Sequence, residues 1–238
     1  MQLLVDDSSV VVFDLDDTLY KEIDFVRSGY AAVLRSLGIS KAAPLEAMMA
    51  WQRAGEPALD RLVQLIGQDP ASLGIVDIPE HVPDAAALLT VYRDHRPKIT
   101  LEPGAEELLT AVRDAGGELA VVTDGRSSSQ RGKLQALGVN EWIEVVVVSE
   151  EIGSTKPDPA NFLRVAAAFP DRSRFVYIAD NPAKDFAAPN ALGWCTIQVD
   201  DDGRNVHPQR APADPARAAD VSVAALTEIE VIRRPAHE

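Results

Sequence analysis

Cysteine is nearly absent from this chain. Its 238 residues include one cysteine, Cys195, which excludes an internal disulfide and is typical of a reducing compartment. No apolar run approaches the ~20 residues that a membrane-spanning helix needs. The first residues carry neither a basic patch nor a cleavage-site pattern, which predicts no signal peptide. We therefore expect a cytoplasmic protein that has no membrane partner.

Basic residues are also scarce. The chain has 23 Lys and Arg against 37 Asp and Glu, a formal net charge of −14. Because this surplus repels a polyphosphate backbone, we expect no nucleic-acid polymer as partner. A small anion stays a candidate ligand, since local charges and a bound metal ion set the potential inside a pocket. No feature of the sequence indicates an oligomeric state.

Two hydrophobic patterns divide the chain. From residue 24 to 95, apolar residues recur at helical spacing in four successive stripes. From residue 103 onward, amphipathic helices alternate with short β-branched runs, which predicts a parallel sheet covered on both faces. The predicted strands are 10–13, 119–122, 145–148, 175–178, 196–199 and 221–223. The helical block therefore reads as an insertion after the first strand, and segment 200–219 as an exposed loop.

An acidic cluster, Asp14-Leu15-Asp16-Asp17-Thr18, follows the first predicted strand directly. Like charges at the end of a buried strand oppose each other's ionisation. Such clusters persist where a cation, most often a divalent metal, lies among them. In an extended segment Asp14 and Asp16 point to the same side, so one site can use both. The alternative interpretation is a solvated junction between strand and loop.

Polar residues also follow the later predicted strands. Because the carboxyl ends of parallel strands meet at one edge of a sheet, we expect these groups to converge. Each alone fits a structural role, such as a turn, a surface position or the start of a helix. Their order on successive strands favours a functional site. The residues are Thr123, Asp124 and Gly125, then Lys156, then Asp180 and Asp185.

Taken in this order, the acidic cluster, Thr123, Lys156 and the pair Asp180 and Asp185 resemble the four motifs of the haloacid dehalogenase-like (HAD) hydrolase superfamily. The resemblance covers the whole chain, since the helical insertion is similar to the family's C1-type cap. It implies an α/β fold, with a Rossmann-like parallel sheet core of residues 1–20 and 98–238 and an inserted all-α cap subdomain of residues 21–97. It also implies bound Mg²⁺. Asp17 and Ala179 stand where the family frequently has glycine.

The resemblance also implies catalytic roles. Asp14 would be the nucleophile that forms an aspartyl-phosphate, and Asp16 the general acid for the leaving alcohol and then the base for water. Thr123 would donate its hydroxyl to a phosphoryl oxygen, and Lys156 would offset the charge of Asp14 and the phosphate. The residues implied in substrate binding are Thr123, Asp124, Gly125 and Lys156.

The metal site follows from the same resemblance. Asp14, Asp180 and the main-chain carbonyl of Asp16 would hold Mg²⁺, the oxygen-ligand pattern of a hard cation. Asp185 would orient metal-bound water without contacting the metal itself. The implied reaction is Mg²⁺-dependent hydrolysis of a small phosphate monoester, a sugar phosphate or a nucleoside monophosphate, so the expected partner is a small phosphorylated metabolite.

Other activities stay open. A phosphomutase shares all these residues. A 2-haloacid dehalogenase of the same superfamily lacks an acid two residues after the nucleophile, so Asp16 favours a phosphatase. A receiver-like or other non-catalytic phosphate-binding domain also combines a parallel sheet with an acidic Mg²⁺ pocket. Receivers lack a helical insertion, and the intact pair Asp14 and Asp16 argues against a non-catalytic protein.

Overall fold

A computed structural model describes residues 1–77 and 81–235. The chain divides into two compact units, Met1–Glu22 with Thr100–Glu238 and, separately, Ile23–Ile99. The predicted insertion, residues 21–97, differs from the second unit by two residues at each end. Positions 78–80 and 236–238, which the domain prediction includes, lie outside the described residues. None of the described helices has the length and apolar character to cross a bilayer.

Five successive helices, within residues 22–114, separate the first two strands from the part of the chain in which helices and strands alternate. In chain order they are β1 (Gln2–Val5), β2 (Ser9–Phe13), α1 (Glu22–Ser36), α2 (Ala42–Arg53), α3 (Ala58–Gln68), α4 (Ala85–Asp94), α5 (Ala105–Asp114), β3 (Glu118–Thr123), α6 (Ser127–Leu137), β4 (Val145–Val148), α7 (Ser149–Ile152), α8 (Ala160–Ala168), β5 (Arg174–Ala179), α9 (Ala187–Ala191), β6 (Cys195–Val199), β7 (Val221–Val223) and β8 (Glu230–Arg233). Short 3₁₀ helices occupy Pro70–Leu73, Val139–Glu141, Pro215–Arg217 and Leu226–Glu228.

The first unit is built on a parallel sheet with strand order β4-β3-β2-β5-β6-β7. All five residues of β2 are buried, because both faces of this central strand are covered. Val10 and Val12 pack in one cluster with Phe162 and Val165 of α8. The β-branched runs therefore form the buried parallel strands that the sequence predicts, and the α/β fold class is confirmed.

One strand precedes those predicted from the sequence. β1 pairs in parallel with β8, in register Gln2 with Glu230, and the two form a separate sheet. Strand 10–13 is therefore the first strand of the main sheet, as predicted, but not the first strand of the chain. Both missed strands are four residues long and lie near opposite ends of the chain, so no local alternation marks them.

The second unit contains most of α1 and the helices α2, α3 and α4. Phe25 and Tyr92 meet edge to face, with ring centroids 5.7 Å apart. Gly29 of α1 lies against the same ring, because a Cβ added there would be 2.4 Å from Tyr92. The four predicted helical stripes thus form four helices, and an aromatic contact joins the first to the last. A role of this unit as a cap stays a prediction.

The two ends of the inserted segment are tied together within the first unit. The main-chain N–H of Glu102 donates to the carbonyl of Leu19 at 2.9 Å. The backbone of the first unit is therefore hydrogen-bonded to itself close to the two points where the inserted segment begins and ends.

Candidate active site

The predicted site residues follow three adjacent strands of the main sheet. Asp14 comes after the central strand β2, Thr123 ends β3, and Asp180 follows β5. The Asp14 N–H donates to the Ile178 carbonyl at 2.9 Å, which continues the β2–β5 pairing for one more residue. The order along the sheet reverses at β2, and ligands of such open sheets bind at this point.

Lys156 connects two of the predicted acids. Its Nζ lies 2.8 Å from Asp14 Oδ1 and 2.6 Å from Asp185 Oδ1, and its side chain is fully buried. It also donates to the Tyr177 hydroxyl at 3.1 Å. Burial alone would lower the pKa of Lys156, but the carboxylates of Asp14 and Asp185 raise it well above its usual value. Lys156 therefore carries a buried positive charge at the carboxyl ends of the strands.

Asp185 is held by donors on both oxygens. Besides Lys156, the Tyr177 hydroxyl donates to Oδ1 at 3.2 Å, and the Asn181 N–H donates to Oδ2 at 2.9 Å. Asp185 is fully buried. Because these contacts occupy both oxygens, the arrangement suits a carboxylate that orients its neighbours more than one that binds a ligand directly.

Three buried carboxylates fit a divalent cation. One oxygen from each of Asp14, Asp180 and Asp185 lies within 4.8 Å of the others. Among the described residues, Asp14 Oδ2 is buried without a hydrogen-bond partner. Burial raises the pKa of Asp14 to about 6 although Lys156 opposes it. Burial, with Asp14 and Asp185, raises that of Asp180 to about 8. A hard cation would stabilise the ionised forms of these carboxylates, which burial disfavours. It would also give Asp14 Oδ2 a binding partner.

Asp16 has a separate set of partners. Lys133 Nζ lies 2.7 Å from its Oδ1, the Tyr20 hydroxyl donates to the same oxygen, and Gln130 Nε2 donates to Oδ2 at 2.9 Å. Burial would raise the pKa of Asp16, but Lys133, Tyr20 and Gln130 outweigh it and keep the pKa below its usual value. In this arrangement Asp16 is an ionised carboxylate.

Gln130 joins Asp16 to Thr123. Its amide nitrogen lies within hydrogen-bonding distance of Asp16 Oδ2, Thr123 Oγ1 and the Asp124 carbonyl. Thr123 is fully buried, and when its oxygen accepts from Gln130 its own O–H points elsewhere as a donor. The fixed amide thus leaves the Thr123 hydroxyl ready to donate.

Asp124 and Gly125 shape the loop after β3. Asp124 Oδ1 accepts the main-chain N–H of Lys156 at 3.1 Å, which joins this loop to the loop between α7 and α8. Gly125 adopts a φ of +138° and its N–H donates to Ser149 Oγ at 2.9 Å. The Asp124 carboxylate, implied by the resemblance in substrate binding, therefore has a structural partner.

Asp17 adopts a left-handed backbone with a φ of +57°. This conformation favours glycine, the residue frequent here in the family that the sequence resembles, but Asp tolerates it better than most residues. Its buried carboxylate accepts the N–H groups of Glu22 and Val206, each at 2.9 Å. These bonds compensate for the backbone strain and explain why an acid can occupy the position.

Segment 200–219 is not the simple exposed loop that the sequence predicts. Asn205 Nδ2 donates to Asp180 Oδ2 at 3.0 Å, and Gln209 Nε2 donates to the Asp180 carbonyl at 2.6 Å. Asn205, Val206 and Gln209 are half-buried. This part of the segment turns inward because its polar side chains find partners at the end of β5.

Several residues of the site were missed by the sequence reasoning. The buried positions of α6 are Gln130, Lys133, Leu134 and Leu137. They have the spacing of a core-facing stripe, so polar residues on that stripe were a usable signal. Tyr177 lies inside a predicted strand, where an aromatic residue is ordinary, and Asn205 lies in a segment without periodicity. The missed residues are Tyr20, Gln130, Lys133, Tyr177, Asn205 and Gln209.

Comparison with known proteins gives a consistent result. The chain is 28% identical over 236 residues to a ribulose-1,5-bisphosphate 5-phosphatase of Halopiger xanaduensis, covering 93% of this chain and 98% of the relative. It is 28% identical over 253 residues to a phosphoserine phosphatase of Thermus thermophilus, covering 92% and 97%. The magnesium-bound HAD hydrolase YfnB of Bacillus subtilis has the same fold, with a TM-score of 0.64, 20% identity and coverage of 95% and 97%. A model of the haloacid dehalogenase-like hydrolases matches residues 9–193, and the chain belongs to this family of hydrolases.

Proposed function

We propose that this chain is a Mg²⁺-dependent phosphatase that hydrolyses a small phosphate monoester, a sugar phosphate or a nucleoside monophosphate, through an aspartyl-phosphate on Asp14. The observation that carries the proposal is the buried contact of Lys156 with Asp14, whose Oδ2 has no hydrogen-bond partner among the described residues. The relatives at 28% identity are named as phosphatases of small metabolites, which supports this substrate class. The cytoplasmic location stays a prediction.

Asp14 performs the first displacement. Its carboxylate attacks phosphorus, the bond between phosphorus and the ester oxygen breaks, and the alcohol leaves with a proton from Asp16. Lys156 holds Asp14 Oδ1 and offsets the negative charge of the transferred group. The Thr123 hydroxyl, whose oxygen accepts from Gln130, donates to a phosphoryl oxygen.

The second step regenerates the enzyme. Asp16 takes a proton from a water molecule, the oxygen of that water attacks phosphorus, and the bond to Asp14 breaks to release phosphate. Asp14, Asp180 and the Asp16 carbonyl would hold the metal ion, with Asp185 as their buried support. When bound, Mg²⁺ would neutralise the carboxylates and the phosphoryl oxygens.

The hydrogen bonds of Asp16 favour its role as a base in the second step over its role as an acid in the first. An ionised Asp16, paired with Lys133 and Tyr20, is ready to act as a base. As an acid it needs a proton, and Lys133 opposes protonation. We therefore infer that Asp16 separates from Lys133 and takes up a proton from solvent before it protonates the leaving alcohol. A halide leaving group requires no such proton, so the presence of Asp16 favours a phosphatase over a dehalogenase.

Phosphate release from a panel of phosphate monoesters, with Mg²⁺ and with a chelator, tests this proposal. Chelation should abolish the release, and added Mg²⁺ should restore it. Asp14→Asn should reduce the rate to background, whereas the exposed Asp171→Asn should keep it. Chloride release from 2-haloacids without phosphate release would instead identify a dehalogenase, and full activity after exhaustive chelation would contradict the metal requirement.

The intermediate is tested separately with Asp16→Asn. This variant should hydrolyse slowly, because it loses about 10²–10⁴-fold of general catalysis. With p-nitrophenyl phosphate, whose leaving group needs little protonation, the second step should suffer more than the first. A phosphoryl adduct should then accumulate on Asp14, visible by intact mass after acid quench. An adduct on any other residue would refute the mechanism.

A further inference from the structure

The segment that follows β6 reaches two loops of the candidate site. Asn205 contacts Asp180, which follows β5, and the Val206 N–H donates to Asp17 Oδ2 in the loop after β2. Gln209 contributes a second bond to Asp180, at the main-chain carbonyl, and also donates to the Val199 carbonyl at 2.7 Å. The segment between β6 and β7 thus holds Asp180, one of the three clustered carboxylates, in place.

Asn205 makes two different contacts through one amide. Its Nδ2 donates to Asp180 Oδ2 at 3.0 Å, and its Oδ1 accepts from Lys21 Nζ at 2.7 Å. Lys21 is buried and lies 3.5 Å from Asp202 Oδ1. An amide suits both neighbours, because it offers a donor to a carboxylate and an acceptor to an ammonium group. A carboxylate at position 205 would lack the donor, and an apolar side chain would lack both.

The rest of the segment restricts the movement of this amide. The Asn205 N–H donates to Asp201 Oδ1 at 3.0 Å, and Gln209 Oε1 accepts the Asp201 N–H at 2.9 Å. Arg204, the preceding residue, pairs with Glu102. Main-chain and side-chain bonds thus hold position 205 on both sides. Asp180 therefore meets a donor whose own position is fixed.

We propose that Asn205 is a positioning residue for the metal site, which fixes one oxygen of Asp180 so that the other is presented to the cation. This inference rests on the proposed function, because it requires that Asp180 binds Mg²⁺. A hydrogen-bond partner that already fixes the Asp180 carboxylate reduces the conformational entropy that this carboxylate loses when it binds the metal ion. Removal of such a partner generally weakens metal affinity by about 10–100-fold.

The test measures Mg²⁺ affinity directly, by calorimetric titration of the purified full chain. Asn205→Leu keeps the approximate size of the side chain and removes both polar contacts. We expect its Mg²⁺ dissociation constant to rise by about 10–100-fold. His207→Ala, an exposed residue of the same segment, is the matched control and should bind Mg²⁺ as the wild type does. Lys21→Met, which removes the ammonium group that holds the Asn205 oxygen, should give a smaller loss.

A structural role alone is separated from positioning by the Mg²⁺ dependence of the rate. If Asn205 positions Asp180, saturating Mg²⁺ should restore much of the turnover of Asn205→Leu, whereas a damaged fold would not be rescued. Asn205→Ser repeats both measurements if the leucine variant does not fold. Folded Asn205 variants with wild-type Mg²⁺ affinity would overturn this inference alone. Failure of the wild-type chain to bind Mg²⁺ would overturn the proposed function and this inference with it.

Discussion

Replacement of Lys156 by methionine separates catalysis from metal binding. The change removes a fully buried positive charge and keeps an unbranched side chain. Lys156 Nζ lies 2.8 and 2.6 Å from carboxylate oxygens of Asp14 and Asp185. At an effective dielectric constant of about 20, each contact is worth about 6 kcal/mol of Coulomb energy. Desolvation of the three ions offsets most of this sum, so we expect metal-free Lys156→Met to lose about 3–5 kcal/mol of unfolding free energy.

Mg²⁺ binding should change in the opposite direction. Without the ammonium group, Asp14 and Asp185 lose the cation in direct contact with them, so a divalent ion meets less repulsion at the same carboxylates. The Mg²⁺ affinity of Lys156→Met should therefore rise, and Mg²⁺ should stabilise this variant more than the wild type. Turnover should nevertheless fall by about 10²–10³-fold, because the charge developing on the phosphoryl group loses its partner.

Three measurements check this prediction. Urea unfolding with and without Mg²⁺ gives the stability change, calorimetric titration gives the affinity, and initial rates of phosphate release give the turnover. Lys98→Met, at an exposed position of the second unit, should change none of the three. Weaker Mg²⁺ binding by folded Lys156→Met than by the wild type, or turnover at the wild-type rate, would contradict this electrostatic role of Lys156.

Three further outcomes are expected. Gln130→Leu should raise KM and lower kcat together, so that kcat/KM falls by about 10-fold or more. The reason is that the variant loses the hydrogen bonds of Gln130 to the Thr123 hydroxyl and to one oxygen of Asp16. An unchanged kcat/KM in steady-state kinetics would contradict this. Since the pKa of Asp180 rises on folding from 3.8 to about 8, the folded metal-free chain binds the extra proton, and its stability should fall as pH rises through this window by ~1.4 kcal/mol per pH unit. Melting scans across the window should show that loss, with less of it in saturating Mg²⁺. Exchange of residues 24–95 for the corresponding segment of a relative should change the ranking of phosphate esters, and an unchanged ranking in a folded, active chimera would place specificity in the first unit.

The sequence predicts the sheet well because its strands are buried on both faces. Val10–Phe13 and Val145–Val148 are unbroken runs of strand-forming residues, so a local pattern carries the information. The acids after β2 and β5 could be placed for the same reason, since the end of each strand is visible. β1 and β8 could not be predicted, because their pairing joins positions near opposite ends of the chain.

The partners of the predicted residues were harder to find. Lys133 and Gln130 are polar side chains on a helix, where such residues usually face solvent, and only their place on the buried stripe indicates otherwise. Asn205 reaches Asp180 through a segment whose path depends on turns formed by Asp201 and Asp202. Such turns set the direction of the chain, but their composition does not show which distant residue they will meet.

The hydrogen bond between Glu102 and Leu19 has a consequence for the history of the inserted segment. Because the backbone closes at its base, the entropy of joining the two ends is a property of the first unit and depends only weakly on how many residues lie between them. An ancestor could therefore have gained, lost or exchanged the segment without altering the register of the sheet.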